Sequence, residues 1–581
     1  MKRCPECRRD YYDDTLSFCL NDGTELVYGL SPDEPPTAIL SEASALGDGV
    51  TPSESPTRAT TGQNAESKAG PQLPASKTAK QHGKFGAGNR LLLALGITLM
   101  LIIGGFFGYR YFASANSKQI SSIAVLPFQN KSGDPNSEYL SDGLAESLIY
   151  RLSQLPNLKV SPTSSVIQYK GKDTKVATIA NELGVEAVMT GRLAQIGDNL
   201  TISVELVDVR DNKLLWGEQY ERKVSDLLAV QREIATVISD KLQLKLTGED
   251  AKGVTKRYTD NNDAYQLYLK GRFYWNKLTP EDVRKSIGFY QQAIDKDPAF
   301  ALAYVGISDA YMLLGIPDVM LGALPPQESI QKARAAADKA LEIDPMLAEA
   351  YASRAHVKWK NRDWAGADED FKHSIELNGN YSNGRRFYSI YLVCTGRPDE
   401  GIKEVRRAEE LEPLSVSVKA HVALILYFAR RYDEAIEAGK TAVEMDRSSP
   451  VAHQRLGSAY EQKRMFPEAI TEFQKAVDDS NRVQLAVSSL AHAYAVGGNR
   501  AEAQKLLAEM QERAKTEYVS SYLIAEIYVA LGEKEPAFKL LETAYAERSI
   551  DLVLAKTDPR LDPLRDDPRF QAFLKKVGFP D

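Results

Sequence analysis

A chain of 581 residues is too long for one hydrophobic core, so several domains are expected. Its 72 basic and 79 acidic residues give a net charge of −7, which excludes a chain-wide positive field that would attract nucleic acid or an anionic membrane. The four cysteines exclude a disulfide framework, because three lie within the first 19 positions and the fourth is Cys394.

Residues 1–28 contain a C-x-x-C knuckle, a spacer and a third cysteine in the pattern F-C-x-x-D-G. Structural zinc takes four ligands, mostly thiolate or imidazole and sometimes carboxylate. Asp22 stands where a second C-x-x-C would place its last cysteine. The predicted zinc ligands are therefore Cys4, Cys7, Cys19 and Asp22. The alternatives are that Asp22 only caps the N-D-G turn, that water is the fourth ligand, or that the reduced thiols bind no metal.

Residues 29–89 form the next segment, which is rich in Pro, Ser, Thr, Ala and Gly and has Phe85 as its only aromatic residue. Such a composition cannot bury enough apolar surface to offset the entropy of ordering the chain. We expect a disordered linker that gives the cysteine module reach.

Residues 91–109 carry no charge, and a helix of that length, at about 1.5 Å per residue, matches the ~30 Å hydrocarbon core of a bilayer. The sequence therefore predicts a transmembrane helix over residues 90–113. Four basic residues lie within 15 positions before residue 91 and two within 15 positions after residue 109, which favours a cytoplasmic N-terminus. The cytoplasm also keeps thiols reduced, as a zinc–thiolate site needs.

Residues 119–248 alternate between strand and helix patterns, which predicts one α/β domain. A strand is expected over 123–128, then a helix capped by Ser141 with an apolar stripe from Leu144 to Leu152. A second helix is expected over 176–183. A hairpin turning at "GDN", a further strand and an amphipathic helix from near Ser225 complete the domain.

From residue 262 the pattern is helical, and a 34-residue period runs through Pro345, Gly379, Pro413, Arg447 and Asn481. About eight helix pairs are predicted over 262–550, with an insertion between the two helices of the second pair. A column of small residues marks where paired helices must approach closely: Ala333, Ala367, Gly401, Ala435, Ala469, Ala503 and Ala537. Residues 551–581 are expected to cap the open end of the stack.

Three known families share these patterns. With its period and landmark columns, the helical region resembles tetratricopeptide-repeat proteins. The α/β segment, with "IAVLPFQNKSGDPNSEYLSDGLAESLIYRL" and "LVDVRDNKLLWGEQYER", resembles the TolB amino-terminal-like domain, which implies an envelope-side interaction domain without established catalysis. The opening knuckle is similar to bacterial zinc-ribbon modules. The predicted fold class is multidomain: a small zinc ribbon, one transmembrane helix, an α/β TolB-N-like domain and an all-α tetratricopeptide superhelix.

Catalytic signatures are absent from the sequence: it contains no G-x-x-x-x-G-K-[ST], H-E-x-x-H or G-x-S-x-G pattern. His82 lies in the linker, and the other five histidines stand at differing positions of the repeats, where solvated or partly packed helix surface is expected. Cys394 is expected to be a buried, inert thiol. We therefore predict that the chain is not an enzyme, and no small-molecule substrate is indicated.

These features favour a single-pass protein of a bacterial cytoplasmic membrane that acts as a scaffold or adaptor. The cysteine module would lie in the cytoplasm, and the α/β domain and repeats on the periplasmic side. Proteins or peptides are the expected partners, in the concave groove of the repeats. The alternatives are a plain spacer, an enzyme hidden in the α/β domain, or a membrane-bound regulator whose zinc ribbon contacts nucleic acid. Clustered aspartates beside the basic residues of the knuckle make nucleic acid a poor partner.

Overall fold

The computed structural model describes residues 120–580, except 135–136, 156, 173, 243, 245–247, 249–252, 254 and 316–323, and it also describes residues 2–3, 10–11 and 27–28. Three two-residue strands near the start form an antiparallel sheet of order β2-β1-β3: β1 (Lys2–Arg3), β2 (Asp10–Tyr11) and β3 (Val27–Tyr28). The sheet belongs to one compact unit of the chain, and residues 119–581 belong to another.

Six further strands form a mixed sheet: β4 (Ser122–Val125), β5 (Gln129–Asn130), β6 (Lys159–Ser161), β7 (Ala187–Ile196), β8 (Asn199–Asp208) and β9 (Lys213–Lys223). Their order is β6-β4-β7-β8-β9, and β5 pairs with β7 beyond the end of β4. β4 runs parallel to β6 and β7, whereas β8 is antiparallel to both of its neighbours. β4 ends earlier than the sequence predicts because Pro127 has no backbone N–H to donate to a ladder.

Four helices accompany this sheet: Glu138–Ser153, Thr163–Val166, Val176–Leu183 and Leu227–Lys241. The first and last pack against each other, and alternate residues of β8 point into the same core. Helix Val176–Leu183 has the predicted bounds. The predicted cap Ser141 is wrong: the first helix begins one turn earlier, at Glu138, and Ser141 is fully buried inside it.

Eight helix pairs, here called repeats 1 to 8, follow. Their first helices are Asn262–Trp275, Ala301–Gly315, Ala348–Lys360, Ser382–Cys394, Val416–Phe428, Pro450–Gln462, Gln484–Val496 and Ser521–Ala530. Their second helices are Pro280–Lys296, Pro326–Ile343, Trp364–Leu377, Pro398–Leu411, Tyr432–Met445, Phe466–Asp479, Arg500–Arg513 and Lys534–Ala546. The chain thus combines a mixed-sheet domain with an all-helical superhelix.

The column of small residues lies where the two helices of each pair pack closely. All seven members are buried, and the six alanines have no exposed surface. A Cβ added at Gly401 would lie 2.6 Å from a methyl group of Val393 and 2.7 Å from the carbonyl oxygen of Ser389. A larger residue in this column would therefore push the two helices of a pair apart.

The turn between the two helices of a pair uses a left-handed residue at the same 34-residue period in repeats 3 to 8. The described residues of this column in repeats 3 to 8 are Arg362, Gly396, Arg430, Arg464, Gly498 and Gly532. A left-handed backbone costs a side-chain-bearing residue about 1–2 kcal/mol, whereas glycine adopts it freely. The three arginines therefore carry strain that the three glycines avoid.

The mixed-sheet domain is docked on the first helix of repeat 1 and on the connections that follow the second helices of repeats 3 and 4. Arg272 of repeat 1 donates to Glu146 of the first domain helix, with Nε to Oε1 at 2.7 Å. Further along the edge, Ser164 donates to Glu412, and the Asn380 amide donates to the backbone oxygen of Leu155. Repeats 1 to 4 thus share one continuous structure with the domain.

Residues 549–567 do not cap the stack as the sequence predicts. They turn back along the superhelix as two short 3-10 helices, Ile550–Leu554 and Pro559–Leu564. The final helix, Pro568–Val577, packs on the second helix of the last repeat, where Lys576 pairs with Glu542. The reason is apolar content, because Ile550, Leu552 and Leu561 are at most 1% exposed inside the superhelix.

Candidate functional site: the inner groove of the repeats

The residues predicted to bind zinc, Cys4, Cys7, Cys19 and Asp22, lie outside the described residues, as do the predicted linker 29–89 and the predicted membrane helix 90–113. Among the residues that the structure describes, no group of three or more His, Cys, Asp or Glu side chains could hold a metal ion. Within the same residues, no helix is long and apolar enough to cross a bilayer.

The inner groove is the wall formed by the first helices of the repeats. First helices of neighbouring repeats pack directly on one another, whereas second helices make at most weak contacts with each other. This difference places the first helices on the concave side and the second helices on the convex side. The sequence predicts that partners bind on the concave wall. The residues that line or fill this wall therefore determine whether it is open to a partner.

Residues 549–567, here called the groove segment, lie along this wall. Ile550 packs with Met312 of repeat 2 and Val357 of repeat 3. Val553 joins a cluster with Trp359 and Tyr427 from repeats 3 and 5. The segment therefore contacts the superhelix from repeat 2 to repeat 8 and covers its inner face there.

Apolar residues on the other side of the segment complete the core of the last repeats. Leu552, Leu561 and Leu564 have no exposed surface and belong to one cluster with Phe473 and Tyr522 of repeats 6 and 8. Full burial of each aliphatic side chain is worth about 1.5–3 kcal/mol relative to exposure. Hydrophobic burial is therefore the main force that holds the groove segment in place.

Arg560 is the polar anchor of the segment. Its Nε donates to Glu461 Oε1 at 3.2 Å, and its Nη1 donates to Ser489 Oγ at 3.0 Å and to Glu526 Oε2 at 3.4 Å. These three acceptors belong to the first helices of repeats 6, 7 and 8. Only 5% of the Arg560 side chain is exposed, so one guanidinium joins three helices away from solvent.

Burial and neighbouring charges act on the pKa values of this cluster in opposite directions. Burial alone would lower the pKa of Arg560, but the Glu461 and Glu526 carboxylates raise it above its usual value. Burial would raise the pKa of Glu461, but Arg560 and His492 bring it below its usual range. Burial and neighbouring Asp558 raise the pKa of Glu526 well above its usual value.

A second anchor lies at the turn edge of the groove. Arg430, the left-handed residue of repeat 5, donates from Nη1 and Nη2 to the two carboxylate oxygens of Asp562, at 2.6 and 2.7 Å. Arg362, at the same position of repeat 3, lies 4.5 Å above the ring of Tyr545 in repeat 8. The arginines in strained turns of repeats 3 and 5 thus contact the C-terminal part of the chain, which gives their side chains a use that glycine lacks.

Little open space remains beside Arg560. A cavity of about 50 Å³ lies against Gln454, Tyr522, Glu526 and Arg560, which is room for a few water molecules and too small for a metabolite. The described part of this groove is therefore a packed, polar-centred interface between the repeats and the groove segment.

Sequence reasoning misses this site, although one signal for it exists. Glu526 stands in "SYLIAEIYVA", a helix that is otherwise apolar and small, and a carboxyl group there needs a buried partner. The expectation of a buried thiol at Cys394 is confirmed. The expectation for the histidines is wrong for three: His356, His453 and His492 are at most 6% exposed, because they stand on the crowded first helices.

A model of tetratricopeptide repeats matches residues 390–450 and 423–483, which fall within repeats 4 to 6. The match coincides with helix pairs at a 34-residue period. The chain contains tetratricopeptide repeats. Residues 118–237 match the family described as the second domain of HilA/YgeH-like transcriptional regulators. This match covers the mixed-sheet domain from β4 into its last long helix, and the resemblance to the TolB amino-terminal-like domain stays a prediction.

Among curated proteins, the chain is 31% identical over 229 residues to "Putative adenylate cyclase 3" of Rhizobium meliloti, covering 38% of each protein. It is 20% identical over 323 residues to "Transcriptional regulator HilA" of Salmonella typhimurium, covering 55% of this chain and 56% of that protein. The chain therefore spans well under two thirds of these relatives. A solved structure of pilF from Pseudomonas aeruginosa is 17% identical and covers 38% of this chain and 94% of that one, with a TM-score of 0.29.

Proposed function

We propose that the protein is a non-enzymatic, single-pass membrane scaffold or adaptor whose repeats and mixed-sheet domain bind protein partners. The observation that carries this proposal is the superhelix of eight repeats joined to a docked second domain, because stacked helix pairs present long surfaces for proteins and peptides. The domain's resemblance to TolB amino-terminal-like domains supports an envelope-side role.

The proposal places zinc and the membrane at the start of the chain. The uncharged residues 91–109 and the excess of basic residues before them support one membrane helix with a cytoplasmic N-terminus. Three thiolates and a carboxylate are a ligand set that suits structural zinc. Cys4, Cys7, Cys19 and Asp22 would hold the metal, and the protein would connect the envelope side with the cytoplasm.

Site-specific photo-crosslinking in intact membranes tests the scaffold. A photoreactive residue replaces Met346 between repeats 2 and 3, which is 64% exposed, or Ile196 on the β7–β8 hairpin, which is 79% exposed. We expect discrete adducts of defined mass from both positions. The same variants irradiated after purification serve as the control. Absence of any adduct from either position in membranes would contradict the proposal.

Labelling of the opening cysteines tests the topology. A membrane-impermeant maleimide should reach Cys4, Cys7 and Cys19 only after cells are broken, and zinc chelation should speed that reaction. In a second sample, only the outer layers of the envelope are made permeable, so that the reagent reaches the inner membrane of intact cells. Labelling of the cysteines in that sample would refute the cytoplasmic placement.

A second candidate is a membrane-bound regulator whose zinc ribbon contacts nucleic acid or the transcription machinery. The match of residues 118–237 to a domain of HilA/YgeH-like transcriptional regulators favours it. The test is a mobility shift of DNA by the full chain in detergent, with a Cys4→Ser variant as the control. A shift that weakens with salt and is lost in the variant supports this candidate, and no shift at low salt dismisses it.

A further inference from the structure

We propose that the inner groove of repeats 6 to 8 is a peptide-binding surface selective for a short segment with one buried arginine among aliphatic residues, and that the groove segment is its internal ligand. This inference rests on the proposed function, since it names the kind of partner that the repeats take. The partner is a protein segment of the same chemistry as residues 549–567.

The groove segment has the form of a bound peptide. It is not a ninth helix pair: its two 3-10 helices contain five and six residues, and they are joined by a short connection. Its side chains supply the binding contacts on both sides, with Val553 against repeats 3 to 6 and Leu561 against repeats 6 to 8. Exposed residues lie near both of its ends, Arg548 before it and Asp566 within its last turn.

The selectivity comes from the acceptors around Arg560. Glu461, Ser489 and Glu526 approach two different nitrogens of one planar group from three helices. A lysine ammonium is a single point donor and cannot reproduce that fork. A segment without a cation would take the guanidinium from buried Glu461 and leave only His492 beside it, so the groove disfavours such a segment.

The covalent link of the groove segment to the repeats sets how strongly it competes with a free peptide for the groove. A tethered ligand has an effective concentration in the millimolar range, so a free segment of equal affinity occupies the groove only at comparable concentration. A partner that binds at lower concentration must form further contacts outside the groove. The internal ligand thus makes the groove selective for partners that also engage another surface of the protein.

Cutting the tether tests the inference with the full chain. A sequence-specific protease site is introduced at the exposed Arg548, and the cut protein is incubated with labelled synthetic peptides of residues 549–581. The peptide series contains the natural sequence, Arg560→Ala, and Arg569→Ala as the matched control. Arg569 pairs with Asp567 and Glu535 outside the groove and is 47% exposed.

We expect the natural and Arg569→Ala peptides to replace the cut segment with similar affinity, and the Arg560→Ala peptide to bind at least about 100-fold more weakly. Equal binding of the Arg560→Ala peptide would overturn the inference. So would a cut segment that neither leaves nor exchanges, because the groove would then accept no ligand from outside.

A second measurement covers the case in which cutting unfolds the protein. Hydrogen exchange of the uncut chain is followed with millimolar natural or Arg560→Ala peptide. If the added peptide displaces the groove segment, residues 549–567 should exchange faster with the natural peptide and not with the Arg560→Ala peptide. Unchanged exchange in both experiments contradicts the inference. Failure here together with discrete photo-crosslinks from Met346 or Ile196 removes the groove from the scaffold proposal and leaves the scaffold itself standing.

Discussion

Two glycines in helix interiors show how one substitution can have opposite effects. A Cβ at Gly457, in the first helix of repeat 6, would lie 2.8 Å from the ring of Phe473, whereas nothing lies within 4 Å of a Cβ at Gly288. We expect Gly457→Ala to lower the free energy of unfolding by about 1–3 kcal/mol through overpacking. Gly288→Ala should raise it by up to about 1 kcal/mol through helix propensity. Denaturant titration of both variants checks the signs, and equal signs would contradict the packing account.

His453 links stability to pH. Its Nδ1 lies 2.5 Å from Glu472 Oε2 and its Nε2 lies 2.9 Å from the backbone oxygen of Arg447, so the imidazolium can donate to both. The hydrogen bond with Glu472 raises the pKa of His453 above its usual value of 6.5. A raised folded-state pKa contributes stability that is complete below the unfolded-state pKa and is lost as pH rises through the folded-state value.

The variant His453→Gln should therefore destabilise the protein most below pH 6.5, and its deficit should shrink as the pH rises above that value. Thermal unfolding across that range measures the deficit. The exposed His373→Gln is the matched control, since its partner Glu376 lies on the same helix surface. A deficit of His453→Gln that grows with rising pH would have the wrong sign.

At the scale of elements, two arginines of the left-handed turn column allow the effect of backbone strain to be compared with the effect of a side-chain contact. Arg464 has φ +59° and is exposed, whereas Arg430 has φ +61° and pairs with Asp562 of the groove segment. Arg464→Gly should raise the melting temperature, because glycine relieves the strain. Arg430→Gly should raise it less or lower it, because the pair is lost. A larger gain for Arg430→Gly would refute a role for that pair.

The docking of the mixed-sheet domain depends on a close approach between two helices. A Cβ at Gly143 would lie 2.9 Å from the side chain of Leu269 in repeat 1. We expect Gly143→Val to loosen the interface and to speed hydrogen exchange in helix Asn262–Trp275 by at least about tenfold. Gly217→Val, on exposed β9 with its nearest atom at 3.7 Å, is the control. Unchanged exchange in the Gly143 variant would show that the helices dock without this contact.

The elements that the sequence predicts well are those with strong periodicity. Helix Val176–Leu183 and the small-residue column of the repeats match because each depends on local spacing. β5 is missed because two residues carry no pattern, and Ser141 is mistaken for a cap because Leu140 extends the apolar stripe one turn earlier. Arg560 is missed because a buried arginine and an exposed one look alike until their partners are known. The predicted zinc ligands lie outside the described residues and stay a prediction.

At the scale of the molecule, the groove segment changes what the repeats can offer. A superhelix with an empty concave wall would bind any suitable peptide, whereas this one already holds Ile550, Val553 and Leu561 inside it. Its convex face and the docked mixed-sheet domain remain available at the same time. Under the proposed function, partners would meet two surfaces, an open outer surface and an inner groove that a ligand enters only by exchange.

Hydrogen exchange of the intact protein in detergent tests this account most directly. The amides of Ala555 and Leu561 donate to Leu552 and Asp558 within the groove segment and are buried by the repeats. We predict that peptides covering residues 549–567 exchange as slowly as the first helices of repeats 6 to 8. Exchange of these amides at the rate of an unprotected chain, with the repeat helices still protected, would show that the groove stands empty.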